Sequence, residues 1–345
     1  MDPTIAAVLM QDGLTNGAIY ALVGLAVVLV FSITRVVLVP QGEFVAFGAL
    51  TLAALVGKQL PGTVWLLVGS VAAAAAMDAV QAARERRLGQ LPAILARWFA
   101  VPVVALALAW WSVGRDLPLW CNVLLTLLLV VPLGPAMYRV AFQPIAEASV
   151  LILLIVAVGV HFSLVGLGLV FFGAEGSRTP PFLDAQYTVG DILISGQSIV
   201  VFCFTLVLMA ALFVFLGRTH YGRALRATAV NRRGARLMGI STAFSGQLSF
   251  ALAALIGAVS GMLIAPITAI YYDTGFLIGL KGFVASIIGG LASFPLTVAG
   301  ALLVGQLESF ASFWASPLKE VIVFTLILPV LLVRSLLAGA SHDEH

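Results

Sequence analysis

The chain has 345 residues, of which 61% are hydrophobic and 10% charged, and its mean hydropathy is +1.12. A soluble domain carries about 25% charged residues, and a membrane β-barrel shows alternating segments of about ten residues. Here apolar runs of about 18 residues or more continue around every helix face, which is enough to cross about 30 Å of hydrocarbon. The composition therefore predicts an all-α polytopic membrane protein. The net charge of +3 is accounted for by basic loops and does not indicate nucleic-acid binding.

The apolar runs predict about eight to ten transmembrane helices. In chain order they are 14–34, 43–58, 63–80, 93–113, 119–138, 150–172, 196–217, 242–270, 281–305 and 318–337. Gly289 and Gly290, followed by Pro295, could break one span into a re-entrant pair, so the count stays open. The spans form a single transmembrane domain at 1–337, and a short polar tail follows at 338–345.

One segment, 218–240, is strongly basic. It contains no Asp or Glu and six arginines, Arg218, Arg223, Arg226, Arg232, Arg233 and Arg236. Placing six arginines at the centre of a bilayer would cost about 15–20 kcal/mol on the insertion scale. The segment is therefore predicted to lie outside the hydrocarbon, on the cytoplasmic side, as a short helix presented to a partner.

The other basic residues give an orientation for the whole chain. Counting back from 218–240 places Arg35, the cluster 84–87 and Arg139 in cytoplasmic loops. Lys58, Arg115 and the loop 173–195, which is rich in acidic residues, fall outside. This arrangement predicts an outer N-terminus and leaves the side of the C-terminus open.

Catalytic and metal-binding motifs are absent from the sequence. No GxxxxGK[ST], HExxH, GxSxG or CxxC pattern occurs, and the four histidines are scattered. We therefore expect no metal site, no cofactor in this chain and no enzymatic activity of its own.

Ionisable residues within predicted spans are functional candidates because hydrocarbon makes them costly. Glu43 is either a pathway or gate residue or an internal hydrogen-bonded anchor. His161 is either part of the same pathway or a hydrogen-bonded residue between helices. Asp78 is predicted at the membrane interface, Glu308 near a span end, and Lys281 at the surface, reached by its long stem.

Glycines cluster in the last third of the chain, at 257–261 and 282–290. Small residues at helical spacing let helix backbones approach closely, which indicates tight packing. The alternative is that broken helices line a substrate route near the midplane.

Several segments together resemble one known family. Residues 222–227 (GRALRA) and 235–240 (ARLMGI) resemble the cytoplasmic coupling loop of the Liv-type branched-chain amino-acid permeases of ATP-binding-cassette importers. The same family's other signatures resemble, in order, 16–22 (NGAIYAL), 41–44 (QGEF), 138–144 (YRVAFQP), 175–178 (EGSR), 281–283 (KGF), 289–291 (GGL) and 293–295 (SFP). The resemblance covers about 1–57 and 118–337.

The resemblance implies a permease subunit in the bacterial inner membrane that has no ATPase of its own. Its implied partners are ATP-binding subunits that hold ATP and Mg, an extracytoplasmic solute-binding protein, membrane lipid and a second permease, usually a different chain. The implied substrate is a branched-chain or other neutral amino acid, while relatives carry urea, short amides or aromatic acids. The alternative is a secondary transporter or channel, in which Glu43 and Glu308 would be the ion-coupling candidates.

The resemblance also assigns site residues. Those implied to couple to the ATPase are Gly222, Arg223, Arg226, Ala229, Arg232, Arg233, Gly234, Arg236 and Gly239. The arginines would pair with acids on the ATPase, and the glycines would permit bends. The candidates for the translocation path or gate are Asn16, Tyr20, Gln41, Gly42, Glu43, His161, Gly289, Gly290 and Pro295.

The chain departs from the family pattern at three places. Leu38 and Pro40 stand where Asn and Ala are common, and Val230 replaces an amide or acid in the coupling loop. Residues 60–115 have no counterpart and are predicted to be an inserted helical pair, with 84–89 (RERRLG) as its inner turn. An even number of added spans would leave the topology unchanged.

Overall fold

The computed structural model describes residues 2–87, 89, 91–189 and 192–332. Its helices are α1 (Pro3–Thr34), α2 (Gln41–Val56), α3 (Thr63–Arg84), α4 (Leu91–Ser112), α5 (Leu119–Val130), α6 (Leu133–Met137), α7 (Val150–Phe172), α8 (Gly196–Arg218), α9 (His220–Val230), α10 (Arg232–Leu237), α11 (Thr242–Ile264), α12 (Thr274–Ile288), α13 (Phe294–Trp314) and α14 (Lys319–Thr325). A π-helical turn (Tyr138–Phe142) and a 3-10 turn (Gln143–Ile145) follow α6. A second 3-10 turn, Ser316–Leu318, precedes α14.

The predicted all-α polytopic class is confirmed. Within the described residues, eight helical stretches are long and apolar enough to cross a membrane, among them Leu119–Ile145, which runs from α5 through the 3-10 turn. Two apolar helices, α2 and α12, are shorter, with 16 and 15 residues. In the described part of the chain the strands form one antiparallel hairpin, β1 (Gln186–Val189) and β2 (Ile192–Ser195), in which Gln186 lies opposite Ser195.

The predicted spans agree with the helices to different degrees. The prediction 150–172 has the bounds of α7, whereas 242–270 is too long because α11 ends at Ile264, shortly before Pro266. The continuous span 281–305 is wrong, since Gly290 (φ 68°) and Leu291 (φ 57°) adopt left-handed backbone and separate α12 from α13. The end of the predicted span 318–337 and the tail 338–345 lie outside the described residues.

The centre of the bundle is α1, which packs antiparallel to α13. Glycines make the close approach possible: a Cβ on Gly17 would lie 2.9 Å from Leu302 Cα, and one on Gly13 would lie 2.8 Å from the Gln306 side chain. Small residues at a helix interface allow this backbone contact in lipid, where packing rather than hydrophobic burial drives association.

The loops divide between two ends of the bundle, in the grouping that the arginine pattern predicts. At one end Lys58 Nζ lies 2.6 Å from Asp116 Oδ1, and Ser177 pairs with Ile270 in an isolated β-bridge. At the other end Arg236 Nη1 lies 2.7 Å from Glu147 Oε1. The positive-inside rule assigns this second end to the cytoplasm.

Residues 60–115 contain the antiparallel pair α3 and α4. Trp98 of α4 donates a 2.6 Å hydrogen bond to Asp78 of α3, and Asp78 also accepts from Arg139 Nε at 2.6 Å. Asp78 is therefore bound between helices. That this pair is an insertion stays a prediction, and Leu88 of its RERRLG turn lies outside the described residues.

Candidate translocation site and cytoplasmic docking surface

The chain re-enters the bundle immediately after α1. Arg35 adopts left-handed backbone (φ 62°), and residues 36–40 then return as a largely buried segment that contains Leu38. Pro40 precedes α2 and provides no side-chain hydrogen bond as a cap. The departures at Leu38 and Pro40 thus make this turn apolar.

Two hydrogen-bonded contacts give the depth at which α2 begins. Gln41 Nε2 donates to the carbonyl of Ala253 at 3.1 Å, and Ala253 is the central residue of the 23-residue helix α11. Glu43 contacts His161, the central residue of the 23-residue helix α7. Because both helices are candidate spans, α2 begins close to the middle of the membrane.

Helix α12 begins at the same depth and runs antiparallel to α2. The two helix starts meet at Gly42 and Gly275, where a Cβ on Gly275 would lie 2.7 Å from the carbonyl carbon of Gly42. A Cβ there would also lie 3.0 Å from Ala46. Two half-length helices thus meet at their N-terminal ends, each of which carries a partial positive charge.

A buried polar pair lies at this meeting point. His161 Nδ1 lies 2.7 Å from Glu43 Oε1, and the Glu43 side chain is only 1% exposed. The ring of Phe276 stacks on the imidazole with centroids 4.4 Å apart. Glu43 Oε2 is buried and makes no hydrogen bond within the described residues. Glu43 is thus anchored through one carboxylate oxygen and leaves the other free. We use the name half-helix junction for six residues: Gln41, Gly42, Glu43, His161, Gly275 and Phe276.

A second buried ionic cluster lies between α1, α12, α13 and α14, and it was not predicted as a unit. Lys281 Nζ lies 2.6 Å from Glu308 Oε1 and 3.2 Å from Glu320 Oε1. Tyr20 donates a 2.5 Å hydrogen bond to Glu308 Oε2. The prediction that Lys281 reaches the surface is wrong, because it is 5% exposed and its charge is balanced by these carboxylates. In the sequence, the opposite charges of Lys281, Glu308 and Glu320 are the only indication of this cluster.

The remaining path candidates do not all lie at the junction. Asn16 is half-buried on α1, one turn before Tyr20. Gly289 ends α12, and Gly290 forms the left-handed turn before α13. Pro295, in the first turn of α13, lines an apolar cavity beside α9. The structure therefore places the Gly289–Pro295 group near the basic segment, away from Glu43.

The basic segment begins at Arg218, the last residue of α8, and continues as two short helices, α9 and α10. Thr219 caps α9 by accepting from Gly222 N at 2.9 Å, and Asn231 caps α10 by accepting from Gly234 N at 2.9 Å. Leu225 is buried against α1 in a cluster with Leu29 and Ile33. These contacts hold α9 firmly on the bundle.

The glycines of this segment have different roles. A Cβ on Gly222 would lie 2.6 Å from Leu216 Cα, so only glycine allows this approach of α9 to α8. Gly239 has φ 79° and makes a true left-handed turn. The expectation of a bend at Gly234 is wrong, because Gly234 lies inside α10 and its N–H is satisfied by the cap.

An exposed groove of about 580 Å³ runs between α9 and α10, and its lining includes Arg223, Arg226, Ala227, Val230, Gly234 and Met238. Val230 is 88% exposed, Met238 is 82% exposed and the nearby Leu237 is 88% exposed. Exposed apolar groups that cluster outside the hydrocarbon mark an interaction site. We call this groove with Leu237 the docking surface. Val230 presents an exposed apolar side chain at the position where the family pattern has a polar one.

The arginines do not all face outward. Arg232 Nη1 donates to the carbonyl of Ala146 at 3.1 Å, and Arg236 donates to Glu147 and to Thr242 Oγ1. The hydrogen bond from Arg236 lowers the pKa of Glu147 below its usual value, with a further contribution from the charge of Arg236.

The other three predicted coupling arginines and Ala229 are placed as follows. Arg226 donates to the carbonyl of Gly217 at 3.2 Å, and Arg223 bonds His220 on its own helix. Arg233 is exposed. Ala229 is half-buried and lines the apolar cavity. Arg232 and Arg236 thus bind the loop that follows the 3-10 turn at 143–145, so part of the row is already engaged within the chain.

A multi-pass bundle in which two half-length helices begin face to face at mid-membrane, with a basic docking surface at one end, is the architecture of a membrane transport protein. Residues 9–331 match the family described as branched-chain amino acid transport system / permease component, and the chain belongs to this family. The resemblance found in the sequence is thereby confirmed.

Relatives agree with this assignment. The chain is 26% identical to the high-affinity branched-chain amino acid transport system permease protein BraD of Pseudomonas aeruginosa, over 94% of this chain and 92% of BraD. It is 28% identical to the corresponding protein LivH of Escherichia coli K12, over 94% and 92%. The L-arabinose transport system permease protein AraH of the same organism is 31% identical over 35% of this chain and 40% of AraH. No solved structure matches the chain.

The chain is therefore the permease component of an ATP-binding-cassette importer and a multi-pass protein of the inner membrane. The ATPase activity of such a system lies in separate subunits, so this chain is not itself an enzyme.

Proposed function

We propose that this chain forms part of the translocation path for a branched-chain or other neutral amino acid, and that the path passes the half-helix junction. The relatives BraD and LivH, which match nearly the full chain and are permeases of branched-chain amino acid transport systems, support this substrate class. The path is assigned to this place because Gly42 and Gly275 meet at mid-membrane beside the buried Glu43–His161 pair.

The chemistry of the junction suits a zwitterion with an apolar side chain. The N-terminal ends of α2 and α12 favour a carboxylate, and the free oxygen of Glu43 can accept from an ammonium group. Phe276 and the buried Phe44 and Phe47 provide apolar surface nearby. Broken helices at the midplane of transporters commonly bind substrate through these same features.

The docking surface would bind an ATP-binding subunit, which holds the ATP and Mg. Its exposed Val230, Leu237 and Met238 would fill an apolar groove on that subunit, while Arg223 and Arg233 would meet acidic groups. Because α9 is packed against α8 and α1, a movement of the ATPase would move α9 and the cytoplasmic end of α1 together. The remaining proposed partners are a second, different permease and a solute-binding protein at the outer end.

The test is ATP-driven leucine uptake by the reconstituted importer with Glu43→Gln, which keeps the side-chain shape and removes the charge. We expect uptake to fall about tenfold or more, since a hydrogen bond to a charged group contributes about 1.5–3 kcal/mol. Glu175→Gln in the exposed outer loop is the matched control. Full uptake by an assembled Glu43→Gln complex would contradict the proposed path.

The docking assignment is tested separately, by using the chain as bait in mild detergent and identifying the subunits that co-purify. Recovery of ATPase subunits and a second permease would support it. A chain that comes out alone, under conditions that preserve related importers, would contradict it.

A further inference from the structure

An apolar cavity of about 640 Å³ lies under α9 at the cytoplasmic end of the bundle. Its walls are Leu29 and Ile33 of α1, Leu212 and Phe213 of α8, Leu225 of α9 and Phe294 of α13, with a few further residues of the same helices. Among the lining residues that the structure describes, only Ser32 and Arg226 carry polar side chains. We call this cavity the inner-leaflet groove.

The groove opens sideways to the bilayer. Helix α8 forms one wall and is mostly exposed along its length, and its Phe213 is 79% exposed. The groove lies at the level of the last turns of α1 and α8 and the first turn of α13. Its depth is therefore that of the acyl chains and headgroups of the cytoplasmic leaflet.

One arginine lines the groove, and two more follow lining residues closely in the chain. Arg226 lines it directly, Arg218 follows the lining residue Gly217, and Arg35 lies two residues after Ile33. All three are exposed, no described residue that lines the groove is acidic, and 218–240 contains no Asp or Glu. Arg226 uses one of its donors on the carbonyl of Gly217, which leaves the others for a ligand.

We propose that the inner-leaflet groove binds an anionic phospholipid, with an acyl chain against Leu29, Leu212 and Phe294 and the phosphate on Arg226. An apolar slot with an arginine at headgroup height matches the two ends of this ligand. A small amino acid would leave its polar groups without partners in such a slot. A second copy of this chain is disfavoured because two identical basic rims would repel each other.

The lipid site rests on this geometry alone, and its effect on transport rests on the proposed function. Leu225 and Ala229 form the α9 side of the groove, so the lipid contacts the helix that would dock the ATPase. Occupancy would fix the spacing between α9, α1 and α13. Anionic lipid would then raise the fraction of ATP turnover that is coupled to uptake.

The test is native mass spectrometry of the assembled importer after exchange into micelles containing phosphatidylglycerol or phosphatidylcholine. In Arg226→Gln the affinity for the most tightly bound phosphatidylglycerol molecule should fall about fivefold, since one basic residue near an anionic headgroup contributes roughly that factor. Arg84→Gln, which is exposed at the end of α3 and does not line the groove, should retain lipid like the wild type. Ala229→Phe should expel the lipid by filling the slot.

Three outcomes would overturn the proposal. In the first, Arg226→Gln retains as much phosphatidylglycerol as the wild type. In the second, the wild type retains as much phosphatidylcholine as phosphatidylglycerol. In the third, Ala229→Cys cross-links to the partner permease. ATPase co-purification is read from the same samples. A wild-type complex that assembles without bound lipid is a fourth outcome that contradicts the lipid site, and it leaves the proposed function intact. Absence of the ATPase from the wild-type complex contradicts the proposed function.

Discussion

His161 Nδ1 lies 2.7 Å from Glu43 Oε1, so the central residue of α7 is bound to the first turn of a helix that starts inside the membrane. The carboxylate lies at the positive end of α2, which offsets part of the cost of its burial. Through this contact α7, whose surface is otherwise mostly exposed, is tied to the junction where α2 meets α12. A movement of α2 or α12 would therefore displace His161.

We expect Gly42→Ala to destabilise the folded permease by about 1–3 kcal/mol, the usual cost of overpacking. A Cβ at this position overlaps the backbone of Gly275, which cannot move away like a flexible side chain. Gly159→Ala on α7 is the control, because nothing lies within 4 Å of its Cβ. Thermal unfolding in detergent is the measurement, and equal midpoints for the two variants would argue against the close approach of α2 and α12.

Lys281→Met should lower the free energy of unfolding by about 3–5 kcal/mol, because it leaves the buried carboxylate of Glu308 without its counter-charge. Adding Glu308→Gln should recover part of the loss, since it removes one of those charges. Lys58→Met is the comparison: its partner Asp116 is 87% exposed, and a surface pair contributes about 0–1 kcal/mol. Similar losses at Lys281 and Lys58 would show that the buried cluster is not stabilised as described.

Val230→Asp combined with Met238→Asp should reduce ATPase co-purification about tenfold or more, because charges would replace apolar contacts at the centre of the docking surface. Both side chains are more than 80% exposed, so the stability of the free permease should change little. Tyr187→Asp on the hairpin at the outer end is the control. Undiminished ATPase recovery with the double variant would move the docking site elsewhere.

The Arg236–Glu147 contact should make the anchoring of α10 dependent on pH. The pKa of Glu147 is lowered in the folded protein by its hydrogen bond from Arg236. The contribution is therefore present above the unfolded pKa of about 4.3 and is lost as pH falls through the lower folded value.

Hydrogen exchange of α10 amides, compared between the wild type and Glu147→Gln, measures this dependence. The variant should exchange faster than the wild type at pH 7, and the difference should disappear in acid. A difference that persists at low pH would rule out ionisation of Glu147 as its source.

Part of the site could be found from sequence because the relevant signals are local. Glu43 and His161 stand out as ionisable groups in apolar runs, and the arginines of 218–240 cannot enter hydrocarbon at reasonable cost. The location of Gly289, Gly290 and Pro295 was not accessible in this way. A glycine-rich break has the same local pattern whether it lies at mid-membrane or at the cytoplasmic end.

The sequence by itself determined the all-α membrane class, the bounds of α7 and the place of 218–240 outside the spans. These follow from hydropathy and charge, whose costs in a bilayer depend only on a residue and its neighbours in the chain. Tertiary structure decided that α2 and α12 meet at Gly42 and Gly275, and that Lys281 is neutralised by Glu308 and Glu320. Both depend on contacts between distant segments, whose free energy appears only when helices pack and exclude lipid from the polar groups between them.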